Sequence, residues 1–234
     1  VDYDSGEQPG SFLFPVTGSA AQGTSSSLSA LTFGTPSNID SACARNRLDA
    51  FMVSPARTVP QIDGTVKENE WQDAIVYPLP FNHLNPSDMR PPSPADLSVS
   101  WALLYHGNRL YGVVNRTDDT TVTENPKAWL NDAVDIFLRA SGTFSQMRTV
   151  VGKNFRKGIG GEFNAVWSRS GSVLEFMIEV PGEQLAGLTR GFSIAVSDND
   201  RGADATRDHI VYPINGYNNN YKNMYLGKIH CIEQ

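Results

Sequence analysis

From residue 97 to residue 231, apolar residues return at every second position in short runs. Each run is cut by glycine, proline, asparagine or aspartate. A period of two belongs to strands with one buried and one outward face. Leu97, Val99, Trp101 and Leu103 show it first; Gly107-Asn108 marks a turn, and Leu110 to Val114 reads as the returning arm of a hairpin. Further strands are expected over 129–138, 147–151, 163–167, 173–180, 192–196, 210–214 and 224–231. Helix is scarce. Thr65 and Glu68 have capping-box spacing, and Trp71 and Ala74 then share one face of a helical turn, with Trp71 as a core lid. The proline-rich run 78–94 is expected to be irregular. The whole predicts an all-β fold, an antiparallel β-sandwich with a short helical turn and an irregular N-terminal arm.

Residues 1–45 form that arm, and 46–234 the sandwich. The arm is rich in Gly, Ser, Thr, Ala and Pro, with short apolar islands at Phe12-Leu13-Phe14 and Leu31-Thr32-Phe33. Such a composition cannot build its own core. The arm is therefore expected to lie on its own domain or on a neighbouring subunit, with Phe12 and Phe14 as anchors.

With 234 residues, a net charge of −6 and no basic run, the chain is not built for nucleic acid or an anionic membrane surface. No apolar run approaches the ~20 residues of a membrane span. Val1 opens the sequence without a signal-peptide pattern, which reads as a processed chain. The two cysteines, Cys43 and Cys231, together with many small polar residues, fit an exported protein, extracellular or periplasmic, with one disulfide between them. The alternative is two unrelated buried thiols. Asn115-Arg116-Thr117 is a glycosylation sequon, meaningful only in a eukaryotic secreted chain.

No nucleophile elbow, phosphate loop or Cys/His zinc spacing is present, and nothing in the spacing specifically suggests paired catalytic carboxylates. The loop Asp198-Asn199-Asp200-Arg201-Gly202-Ala203-Asp204 gathers oxygens suited to calcium through Asp198, Asp200 and Asp204, although it lacks EF-hand spacing. A haem site would need Met147 or Met177 with His209, and no spacing supports it. In 129–138, Val134, Ile136 and Leu138 take one strand face and Asp135 and Phe137 the other, with Trp129 at the strand's mouth. An aromatic beside a carboxylate suits a ligand with an apolar face and a rim of hydroxyls, such as a sugar. A hydrophobic plug over the end of the sandwich is the other reading.

An ordered set of motifs resembles family-9 carbohydrate-binding modules, in the wider DOMON-like superfamily. It comprises Ile62-Asp63-Gly64, Glu70-Trp71, the hairpin over 103–114, the stretch from Trp129 to Phe137, Glu179-Val180-Pro181, the run over 191–198, and Leu226-Gly227-Lys228-Ile229. The resemblance covers roughly residues 55–231. It implies a non-catalytic β-sandwich that holds a saccharide, at its reducing end, between two aromatic platforms. Trp129 falls on the first platform, Asp135 on a hydroxyl-binding acid, and Arg148 and Arg207 on basic sugar contacts. The second platform falls to Tyr217 or Tyr221 in place of Trp, and Ala195 stands where the family has Gln. The alternative function is a structural or assembly subunit that reuses the sandwich and docks its arm on a copy of itself or another subunit.

Overall fold

The computed structural model describes residues 50–79, 81–82, 93–140, 142–153, 162–202, 209–212 and 227–233. The arm expected at 1–45 lies outside them.

The described residues form β1 (Ala50–Pro55), α1 (Glu68–Trp71), β2 (Ile75–Pro78), β3 (Phe81–Asn82), β4 (Leu97–His106), β5 (Arg109–Asp118), β6 (Ala133–Ala140), β7 (Thr143–Val150), β8 (Phe163–Trp167), β9 (Val173–Glu179), β10 (Thr189–Asp198), β11 (His209–Tyr212) and β12 (Gly227–Cys231). A 3-10 turn at Ala128–Leu130 precedes β6. The chain is all-β apart from α1 and that turn. In one group of strands β10 runs beside β6, which pairs β7; the other edge of β10 is shared by β12 and β11, and β11 carries β3. In the second group the order is β4-β5-β9-β8, with β2 on the free edge of β4.

β1 ties the two groups together. Its first four residues pair β12 and its last two pair β4, both in parallel. The expectation of a wholly antiparallel fold is corrected at this point. β1 itself went unread because its apolar pair, Phe51 and Val53, directly follows the arm. β3 lies within the proline-rich run expected to be irregular, pairing Val211 and Tyr212. The capping box does not form: Lys67 precedes α1 without a side-chain cap, and the Thr65 amide donates to Asp63 Oδ1 at 2.9 Å. Trp71 is buried as expected, its indole N–H donating to Glu175 Oε1 at 3.0 Å.

One apolar core joins both groups. Trp101, Leu103 and Phe176 from the second meet Ile136, Phe192 and Ile194 from the first. Trp101 stacks on Phe192 with ring centroids 5.6 Å apart. Gly112 lies opposite Phe176 in the β5–β9 ladder, and a Cβ there would sit 2.0 Å from the phenyl ring. The β4–β5 hairpin turns at Gly107-Asn108, with Gly107 at φ 60, where glycine costs least. A second cluster, with Trp71, Val76, Tyr111 and Met177, covers the reverse side of the second group.

Candidate functional site

Alternation along β6 assigns its faces. Val134, Ile136 and Leu138 enter the core, so Asp135 and Phe137 must point the other way. Asp135 lies directly across from Arg148 on β7 and from Ala195 on β10. Cross-strand partners on one face are close enough to pair. Arg148 Nη2 stands 2.7 Å from Asp135 Oδ2, and Gln146 Nε2 donates to Asp135 Oδ1 at 3.0 Å. Both carboxylate oxygens are thus engaged, and Asp135 is buried. The amide beside Asp135 comes from Gln146, which the sequence reading did not single out. Ala195, in the place of the family's Gln, instead packs with Ile210 and Phe137. Phe137 stacks on Phe144 with centroids 6.1 Å apart. This outer face therefore carries a charged pair beside an aromatic pair.

Trp129 sits on the 3-10 turn that leads into β6, and its side chain stands in solvent at 48% exposure. About half of the residue is thus open to solvent. The turn is clamped by two buried asparagines. Asn131 Oδ1 accepts from the Asn125 amide at 2.7 Å, and Asn131 Nδ2 donates to the Asn125 carbonyl at 2.9 Å. From the far side, Asn199 Nδ2 donates to the Leu130 carbonyl at 2.6 Å. A rigid backbone beneath an exposed indole favours a contact surface, because little ordering entropy remains to be lost on contact.

Asn199 also leads to an acidic end of the core. Val114, Val134 and Val196 face inward, so Arg116, Asp132 and Asp198 do too. Arg116 Nη1 lies 2.6 Å from Asp118 Oδ2 and 3.6 Å from Asp132 Oδ2. Asp132 is fully buried and accepts from the amides of Val122 and Asn199 at 2.9 and 2.8 Å. Burial pushes its carboxyl up to about 7, with the neighbouring Asp118 charge adding to the rise. Asp118, Asp198 and Asp200 have carboxylate oxygens within 4.8 Å of one another, and so do Asp96, Asp119 and Asp200. Burial, reinforced by Asp200, Asp118, Asp132 and Asp96, pushes Asp198 up to about 9.

Of the calcium residues expected from sequence, Asp198 and Asp200 thus meet, while Asp204 lies outside the described residues. Asp96, Asp118 and Asp119 were missed. Only the β4–β5 register, which pairs Leu97 with Asp118, brings them alongside. Arg207, Tyr217 and Tyr221 also lie outside the described residues, as does the side chain of His209. Met147 and Met177 belong to different apolar clusters. Cys231 is a buried thiol that bonds to no described residue, and burial pushes its pKa up to about 12. Its expected partner Cys43 lies outside the described residues.

Among the described residues no helix is long and apolar enough to cross a membrane. Residues 62–149 match the profile of the family described as "Carbohydrate family 9 binding domain-like". A family-9 carbohydrate-binding module from Caldicellulosiruptor kristjanssonii, solved with cellotriose, superposes with a TM-score of 0.64 at 18% identity, over 79% of this chain and 95% of that one. The same organism's module with glucose gives a TM-score of 0.63 at 18% identity, over 79% and 97%. No curated protein sequence matches. Residues 62–149 are thus similar to the carbohydrate family 9 binding domain-like family, and over 79% of its length the chain has the fold of the family-9 carbohydrate-binding modules.

Proposed function

We propose that this chain is a non-catalytic carbohydrate-binding β-sandwich, its two strand groups being the two layers. In this reading Trp129 is the platform for a sugar ring. A pyranose has an apolar face of C–H bonds that an indole can cover, and its hydroxyls call for ionised or amide partners. Arg148 supplies such a partner. Asp135 and Gln146 orient the guanidinium, so Asp135 acts by holding Arg148 instead of meeting the sugar itself. Arg207 and one of Tyr217 or Tyr221 complete the site, with the tyrosine as second platform. The observation that carries the reading is the solvent-standing indole on a clamped turn. The same fold in modules solved with glucose and cellotriose supports it. An exported location, a Cys43–Cys231 bridge and a docking role for residues 1–45 belong to the same proposal.

Calorimetric titration of the full chain with glucose and cellotriose tests it. Binding heat is expected from the parent protein and none from Trp129→Ala. If borohydride reduction of the sugar abolishes the heat, the reducing end is what is held. Absence of heat from the parent protein at millimolar sugar would overturn the proposal.

A further inference from the structure

We propose that Arg139 and Lys228 take the anionic group of an acidic saccharide, a uronate carboxylate or a sulfate ester, while the Phe137–Phe144 pair covers its ring. That the ligand is a sugar rests on the function proposed above. Register places these residues side by side. Arg139 on β6 lies opposite Phe144 on β7 and opposite Gly191 on β10, and Gly191 lies in turn opposite Lys228 on β12. Leu138, Phe192 and Ile229 enter the core. Their neighbours Arg139, Gly191 and Lys228 therefore stand on the outer face, the face of Asp135 and Phe137.

Surface cations are common, and three observations set this row apart. The first is the Arg139 charge. Among the described residues, no hydrogen bond or ion pair engages its guanidinium. Arg148, by contrast, is met by Asp135 at 2.7 Å. The outward positions of β6, β7, β10 and β12 carry Arg139, Arg148 and Lys228 against the acid Asp135. In a chain of net charge −6, this face thus has an excess of positive charge. Such a patch complements an anionic ligand.

The second observation is the gap between the basic positions. Gly191 has no side chain, and Arg139 and Lys228 lie two strand spacings apart, roughly 10 Å. Both side chains are long enough to converge on one anion above the glycine. The third is the aromatic pair. Phe144, directly across from Arg139, stacks on Phe137 and remains partly exposed. A simple anion would leave that apolar surface unused, and a neutral sugar would leave the guanidinium unused. A sugar ring that carries a carboxylate or sulfate uses both, through its C–H face and through charge-assisted hydrogen bonds. Along β6, Arg139 stands four residues from Asp135, about 13 Å. The row therefore suits a further ring of an oligosaccharide whose first ring meets Trp129 and Arg148.

Calorimetric titration of the full chain tests this with three probes: cellotriose, the same trisaccharide oxidised to a carboxylate at each C6, and its C6-sulfated form. At least one charged probe should bind about tenfold tighter than cellotriose. Raising the ionic strength from about 0.1 M to about 1 M shortens the Debye length to about 3 Å, and should erase most of that advantage without weakening cellotriose. In Arg139→Gln the advantage should fall to about threefold or less, and Arg139→Lys should keep part of it. Lys228→Gln reads the other wall. Melts should show both glutamine variants folded, since neither position is in the core. The tighter of the two charged probes supports the inference and names the anion. Charged probes that bind no better than cellotriose, or a full advantage kept by both glutamine variants, would overturn the inference and leave the proposed function standing. Binding of a charged probe without binding of cellotriose supports the inference and sinks the Trp129 platform for a neutral sugar. No binding of any probe overturns both.

Discussion

Two buried aspartates on neighbouring strands of one sheet are held in opposite ways. Asp135, in the middle of β6, spends one oxygen on Arg148 and the other on Gln146. Asp198, at the end of β10, spends neither oxygen on a hydrogen bond among the described residues. The first is balanced one carboxylate to one guanidinium. The second belongs to a group of aspartates in which Arg116 pairs with Asp118 and Asp132, while the carboxylates of Asp198 and Asp200 lie within 4.8 Å of that of Asp118. Burial is common to both sites, so burial alone does not say what a carboxylate is for. The deciding quantity is whether the fold supplies the counter-charge or leaves it to come from solution.

The largest expected effect is at the balanced site. Arg148→Met removes the guanidinium and strands the Asp135 charge, and denaturant unfolding should register a loss of about 3–5 kcal/mol. The double variant Asp135→Leu with Arg148→Met should recover most of that, since an apolar pair of similar size has no charge to satisfy. If the single variant costs under ~1 kcal/mol, the pair is better hydrated than its burial implies.

A matched substitution sharpens the contrast. Above pH 9, where the Asp198 carboxyl is ionised, Asp198→Asn replaces a buried charge that has no hydrogen-bond partner among the described residues with a neutral amide and should raise stability, by about 1 kcal/mol. Asp135→Asn removes a charge that Arg148 needs and should lower it by about as much or more. Thermal melts of the two variants side by side should therefore move in opposite directions. Movement in the same direction would mean that the two aspartates are held alike after all.

The strand faces were legible because alternation is local: Val134, Ile136 and Leu138 announced the core, and Asp135 the other side. So was the hairpin at Gly107-Asn108, which has turn chemistry of its own. The parallel pairings of β1 were not, because nothing local in Ala50–Pro55 names Ile229 or Leu104 as neighbours. The acidic end was hidden for the same reason. Asp96, Asp118 and Asp132 each look like an ordinary turn residue, and only register brings them beside Asp198. The sequence showed the chemistry of Asp198 and Asp200, but not the company they keep. Trp129 and Asp135 were read from the strand itself, whereas Arg148 came from the motif order of a family, a long-range signal that periodicity does not carry. Gln146 had no such motif behind it and was passed over.

The smallest expected change in stability is at Trp129. The indole is half exposed and its turn is held by Asn125, Asn131 and Asn199 through backbone atoms, none of which involve the ring. Truncation to Ala therefore removes little apolar packing, and surface changes of this kind stay within about 0.5 kcal/mol. The Tm of Trp129→Ala should lie within a few degrees of the parent, because Asn199 still reaches the Leu130 carbonyl. Sugar binding should vanish, since the apolar face of the ring loses its cover while Arg148 remains in place. Phe at the same position should keep part of the affinity, as a smaller platform of the same kind. A variant that melts far below the parent would mean that the ring packs where this structure shows it exposed. One that melts normally and still binds glucose as the parent does would move the platform elsewhere on the molecule.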